Sequence, residues 1–332
     1  MTCLLLSETA LRRLQPRLEP FSDRLVCVAM DRSGELGPRA DLSPAEAPPQ
    51  CGYLSGDLFA DGLTDKFVNA LLASAALDWV QSAGAGVDHA MFKALAEKGI
   101  RLTTNHSQAI GIAEYVLWGV LNHFQGGRLR AADQAAKRWA ASLSREVAGT
   151  RWLIIGFGAI GEAIACLVRA FGAHVTGIRR NASTSPWADE ITTPDRLGDF
   201  LGISDIVVLC APRTPQTANM VDADFLAGMK SGSVLVNVAR GGLVDENSLL
   251  AALDAGKPEH ALLDVFNYEP LPKNSRLWRH PRVTLTPHSS ALSAGLQSRT
   301  DEVFLRNLAL YLANEPLLNE VREFGLSAVK KR

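Results

Sequence analysis

The sequence lacks any long apolar run. Its most hydrophobic stretch, Tyr115–Leu121, lies between Glu114 and His123 and falls far short of the ~20 residues that a membrane span needs. It also lacks an excess of charge: 34 Lys and Arg stand against 35 Asp and Glu, for a net charge of -1. Binders of nucleic acid or acidic membranes usually show a basic excess, so neither partner is expected. Cysteine is scarce. Cys3, Cys27, Cys51, Cys166 and Cys210 are odd in number, and no two have CxxC spacing, which argues against a disulfide framework. They sit in apolar stretches and read as buried thiols of a reducing, cytoplasmic compartment. The apolar run Cys3–Leu6 has no basic region before it and no small-residue cleavage site after it, so it reads as a first strand. No metal is expected.

What is present is an ordinary globular composition, 47% hydrophobic and 21% charged, on a chain of 332 residues, long enough for two domains. Cys3–Leu6, Leu25–Met30, Cys51–Leu54, Leu77–Gln81 and Arg101–Thr104 are candidate strands, with helical segments over 63–75 and 90–99. The Pro-, Gly- and Ala-rich stretch from Arg32 to Pro49 reads as a loop. A helical region follows from Ala109 to about Ser144, with Gly126-Gly127 as a break. Six further candidate strands then alternate with helices: Arg151–Ile155, His174–Ile178, Ile206–Cys210, Val234–Asn237, Ala261–Asp264 and Val283–Thr286. A last helix spans about 292–314. Strands alternating with helices predict parallel sheets covered on both faces. The expected fold is therefore α/β with two doubly wound domains and the active site in the cleft between them. The substrate domain is residues 1–108 plus 291–332, and the cofactor domain is residues 109–290.

The run Gly156-Phe157-Gly158-Ala159-Ile160-Gly161 follows the strand Arg151–Ile155 and opens an alanine-rich helix. The six-residue pattern alone can be a purely structural turn. At the start of a six-strand alternation it points to a dinucleotide site. The first glycine permits the turn, the second lets backbone approach a pyrophosphate, and the third lets helix and strand pack closely. An acidic residue is expected about 20 residues on, to bind the ribose of NAD. That place reads Gly177-Ile178-Arg179-Arg180-Asn181, with two guanidinium groups and no carboxylate. Arg179 and Arg180 are either solvated surface residues or partners of a 2′-phosphate, and the second reading makes NADP(H) the preferred cofactor with NAD(H) possible.

Three segments leave the carboxyl ends of later strands, where doubly wound sheets bind ligands. They are Asn237–Asp245 with Arg240, Leu263–Pro270 with Glu269, and Thr286–Ser290 with His288. Reducing a ketone needs a hydride, a proton for the oxygen and a cation to polarise the carbonyl. His288 can give the proton if a carboxylate stands beside it, and Glu269 is the candidate. Arg240 can bind both the keto oxygen and a substrate carboxylate. Each has a bland reading alone, as a capping histidine, a turn glutamate or a surface arginine.

These segments resemble the D-isomer-specific 2-hydroxyacid dehydrogenase family. The matching pieces are Gly84-Ala85-Gly86-Val87-Asp88, Ala113-Glu114-Tyr115, the glycine loop at 156–161, Pro212–Thr217, Asn237–Glu246, Leu263–Pro272 and Thr286–His288. They cover the chain from about residue 80 to 290. The resemblance implies that Arg240, Glu269 and His288 are catalytic and that the backbone N–H groups of Ala85 and Gly86 hold the substrate carboxylate. A strand-to-helix turn with Asp88 as N-cap is the plainer reading of that loop, and both can hold. The resemblance further implies cofactor contacts at Gly156, Gly158, Ala159, Ile160, Gly161, Ala211, Pro212, Thr217 and Ala239, with Asp264 on the nicotinamide carboxamide. It implies a homodimer too, helped by the apolar helix after Ala113. The implied substrate is a small 2-keto acid such as glyoxylate or hydroxypyruvate. Two relatives are set aside. Formate dehydrogenases pair their histidine with glutamine where this chain has Glu269, and phosphite dehydrogenase carries a lysine in the loop at 82–88, where this chain has none. A phosphoglycerate-type dehydrogenase and a dinucleotide-sensing regulator remain as alternatives.

Overall fold

The computed structural model describes residues 1–37, 48–87, 89–181 and 183–321. The chain divides into two compact units, Met1–Ser107 with Ala294–Arg332, and Gln108–Ser293. Among the described residues no helix is long and apolar enough to cross a membrane. All five cysteines are thiols, buried or half-buried.

The first unit carries β1 (Thr2–Ser7), β2 (Leu25–Met30), β3 (Cys51–Leu54), β4 (Trp79–Ser82) and β5 (Arg101–Thr103). They form one parallel sheet in the order β2-β1-β3-β4-β5, a doubly wound arrangement. Successive side chains of β1 serve opposite faces: Cys3 and Leu5 pack with Val26 and Val28, while Leu4 and Leu6 pack with Tyr53 and Trp79. The second face is closed by the helix Leu296–Leu312, whose Phe304 stacks on Tyr53 with ring centroids 4.0 Å apart. The fourth strand starts two residues later than its apolar pattern suggests, because Leu77 packs in the core just before the strand begins. The middle of the expected loop at 32–49 lies outside the described residues.

The second unit carries β6 (Arg151–Ile155), β7 (His174–Ile178), β8 (Glu190–Thr192), β9 (Ile206–Leu209), β10 (Val234–Asn237), β11 (His260–Leu263) and β12 (Val283–Leu285). Its order is β12-β11-β10-β9-β6-β7-β8, again parallel throughout. The four residues of β9 and of β10 are all buried, as expected for strands covered on both faces. Leu153, Ile155, Val207 and Leu209 serve one face, and Trp152, Ile154, Ile206 and Val208 the other. Two expectations are corrected here. A seventh strand, β8, joins the edge beside β7. Its sequence Glu-Ile-Thr has no apolar run because only one side of an edge strand is paired. The helical region after Ala109 ends at Ala135, not Ser144: Gly126 adopts φ +64° between the helices Gln108–Phe124 and Gly127–Ala135, and Lys137 turns left-handed at φ +54°.

Candidate active site

In a doubly wound sheet the crevice opens where the strand order reverses, which in the second unit is between β6 and β9. The turn after β6 is built for that place. Gly156 has φ +96°, and a Cβ there would lie 2.3 Å from the Ala211 backbone N at the end of β9, so only glycine lets the two strand ends meet. Gly156 and Phe157 both donate their N–H to the Ile178 carbonyl at the end of β7. Gly158 then starts the helix Ala159–Ala170 without a side-chain cap, and a Cβ on it would meet no protein atom within 4 Å. Gly161 packs its bare face on the Gly156 carbonyl and Ile154. An uncapped helix N-terminus with open backbone before it suits a pyrophosphate, so these residues fit the cofactor that the sequence implies.

Arg179 and Arg180 follow β7 directly and are exposed. The Arg179 guanidinium donates to Ser183 Oγ at 2.9 Å, which holds it over the turn. Beyond β9, Ala211 is buried and the Pro212–Thr217 segment forms a turn tied by Thr217, whose hydroxyl donates to the Pro212 carbonyl at 2.7 Å.

The three expected catalytic side chains come from the ends of β10, β11 and β12. Asn237, the last residue of β10, pins the next loop by accepting from Ala239 N–H and donating to the Arg240 carbonyl. Arg240 is half-buried. A Cβ on Gly241 would fall 1.9 Å from the Phe266 carbonyl carbon, so this glycine brings the Arg240 loop against the segment that carries Glu269. Two more bonds knit the loops: Asn267 N–H donates to Glu246 Oε1 at 2.7 Å, and Asn267 Nδ2 to the Val244 carbonyl. Glu269 spans both sides. Its Oε1 accepts from Phe266 N–H at 2.9 Å and its Oε2 lies 2.7 Å from His288 Nδ1. The imidazole is half exposed, at 51% for its side chain.

Asp264 has no exposed surface. Its carboxylate accepts from Thr286 Oγ1 at 2.6 Å, from Ser289 N–H at 2.9 Å and from Ser290 N–H at 3.0 Å. The resemblance assigns Asp264 to the nicotinamide carboxamide; within the chain its carboxylate is taken up by three donors of the 286–290 segment. The sequence carried no signal for this role beyond the position of Asp264 at a strand end.

Ala85 and Gly86 lie in the first unit, on the turn after β4. Gly84 N–H donates to Ser82 Oγ, and the Gly84 carbonyl accepts from Asn105 N–H, which shapes the turn from both sides. Among the described residues, the N–H groups of Ala85 and Gly86 donate to no protein acceptor. Asp88 lies outside the described residues; the helix Ala90–Glu97 is capped by His89, whose Nδ1 accepts from Met91 N–H.

A family model described as the NAD binding domain of D-isomer specific 2-hydroxyacid dehydrogenases matches residues 117–290. The chain is similar to a D-isomer specific 2-hydroxyacid dehydrogenase from Xanthobacter autotrophicus, solved with NADPH: 27% identity, TM-score 0.76, over 96% of this chain and 98% of that one. It is similar to an NADPH-dependent glyoxylate/hydroxypyruvate reductase from Sinorhizobium meliloti, solved with NADP and sulfate, at 25% identity and TM-score 0.75 over 97% and 98%. A phosphoglycerate dehydrogenase from Lactobacillus plantarum matches at 26% identity and TM-score 0.55 over 96% and 100%.

Proposed function

The chain belongs to the D-isomer specific 2-hydroxyacid dehydrogenase family, and on that premise we propose that it reduces a small 2-keto acid of the glyoxylate or hydroxypyruvate class to the D-2-hydroxy acid, with NADPH preferred. As a member it is an NAD(P)-dependent oxidoreductase. The observation that carries the finer reading is the His288 Nδ1–Glu269 Oε2 contact at 2.7 Å, in the same unit as the glycine loop and beside the Arg240 loop.

Gly156–Gly161 and the helix behind them would hold the pyrophosphate, with Ala211, Pro212, Thr217 and Ala239 along the same strand ends. When bound, the nicotinamide supplies the hydride. Arg240 binds the substrate carboxylate and polarises the keto oxygen. Glu269 occupies Nδ1 of His288, so Nε2 is the nitrogen that gives its proton to the carbonyl oxygen.

The NADPH preference rests on Arg179 and Arg180, where an NAD site would place a carboxylate. Two of the similar structures were solved with NADPH or NADP. Oxidation of NADPH and NADH is followed against glyoxylate, hydroxypyruvate, pyruvate and phenylpyruvate. NADPH is expected to turn over much faster, and Arg180→Gln to raise its KM by about 10-fold, as loss of one charge-assisted hydrogen bond does. The KM for NADH should stay unchanged. Faster use of NADH by the native enzyme would sink the arginine argument. NADPH binding without turnover of any keto acid would favour a sensing role.

A homodimer is part of the same reading. Trp139 and Leu143 project fully into solvent after the helix Gly127–Ala135, and Trp118 and Leu129 are each half exposed. Large apolar groups exposed to this extent suit a second copy. Sedimentation is expected to show a dimer that Trp139→Ser with Leu143→Ser weakens; a native monomer at micromolar concentration would remove this part.

A further inference from the structure

The pair Glu114-Tyr115 belongs to a motif that the mechanism above leaves without a role. Tyr115 lies on the helix Gln108–Phe124, and its hydroxyl oxygen is 2.7 Å from Thr286 Oγ1. Thr286 has a single hydroxyl proton, and at 2.6 Å from Asp264 Oδ1 that proton goes to the carboxylate. Thr286 therefore accepts from Tyr115, and the direction is Tyr115 to Thr286 to Asp264. Burial pushes the Tyr115 hydroxyl up to about 12, so it remains a donor throughout the neutral range.

At the far end of this chain, Asp264 gathers three consecutive backbone N–H groups. Its carbonyl accepts from His288 N–H at 2.8 Å, and its carboxylate from Ser289 and Ser290. Between them His288 is held at φ +51°, in the left-handed region that a residue with a side chain adopts only at a cost of about 1 kcal/mol. The imidazole is thus steadied at its ring by Glu269 and at its backbone by Asp264.

We propose that Tyr115 and Thr286 are positioning residues for His288: they orient the buried Asp264 carboxylate, which clamps the 288–290 backbone and aims the imidazole. The helix Gln108–Phe124 thereby becomes part of the catalytic apparatus without touching a ligand. The inference rests on His288 being the proton donor. All members of the chain belong to one unit, and each link is a direct hydrogen bond. Displacement of a catalytic group by about 1 Å can cost 10²-fold in rate, so cutting the chain should be felt in kcat.

The test uses Tyr115→Phe, Thr286→Val and Thr286→Ser in the full-length protein. Tyr115→Phe is expected to lower kcat by about 10-fold and Thr286→Val by about 10²-fold, a range set by such misplacement. Keto-acid KM, NADPH affinity by fluorescence and Tm should stay close to native. Thr286→Ser, which restores the hydroxyl, should recover most of the rate. Amide hydrogen exchange of the segment around 288–290 should accelerate in Tyr115→Phe and Thr286→Val and not in Thr286→Ser. Unchanged exchange there, or kcat within 2-fold of native in both cut variants, would overturn the proposal. So would a rate loss matched by equal losses in Tm and NADPH affinity, the mark of general damage. If the native protein turns over no keto acid, the reductase reading fails by itself, and the exchange comparison still decides whether the clamp exists.

Discussion

His288→Ala is expected to lower kcat for keto-acid reduction by about 10²–10⁴-fold, the usual contribution of a positioned general acid. NADPH affinity should be nearly native, because the glycine loop and Arg179–Arg180 lie at the ends of β6 and β7, whereas His288 follows β12. Glu269→Gln should fall between the two. The amide still accepts from Phe266 N–H, as Oε1 does now at 2.9 Å, but brings no negative charge to the His288 ring. Rapid-mixing kinetics with fluorescence titration of NADPH separates chemistry from binding. Turnover of His288→Ala within 10-fold of native would remove this histidine from the proton transfer and leave the site without its acid.

The largest stability effect should come from the other unit. Asp301 is 3% exposed and accepts from Arg13 Nε at 2.6 Å, Tyr53 Oη at 2.9 Å and Gln297 Nε2 at 2.9 Å. It therefore fastens the helix Leu296–Leu312 to the helix Glu8–Leu18 and to β3. The Arg13 guanidinium, held between Asp301 and Asp57, is raised further above its usual value; burial opposes this and the two carboxylates outweigh it. Asp301→Ala leaves this part-buried cation and the Tyr53 hydroxyl without their shared acceptor, and should cost about 3–5 kcal/mol. Thermal unfolding should show a fall in Tm on the order of 10 °C. The double variant Arg13→Met/Asp301→Leu, which removes both charges, should lose much less. A loss below 1 kcal/mol in Asp301→Ala would mean that solvent already screens the pair.

Most strands were legible because they are buried on both faces and so appear as short continuous apolar runs, as in Ile206–Leu209 and Val234–Leu235-Val236. The strand Glu190–Thr192 was not, because it sits at a sheet edge and its place depends on pairing with Thr176–Ile178. The end of the helical region after Ala109 is not legible because Trp139 and Leu143 mimic a helical apolar face, while both side chains are fully exposed. At the site, Arg240, Glu269 and His288 could be picked out since each follows a strand end in a family-like segment. That Asp264 would be buried under the His288 loop could not.

By itself, then, the sequence determined the alternation of strands and helices, the glycine loop, the paired arginines and the chemical types in the site. These are local properties, set by apolar periodicity and by which backbone shapes glycine allows. Tertiary structure alone decided which other groups meet: Arg13 with Asp301, Phe304 with Tyr53, and Tyr115 with Thr286 across 171 residues of chain. Hydrogen-bond partners so far apart in sequence are selected by the packing of whole helices on sheets, and no spacing along the chain records that packing.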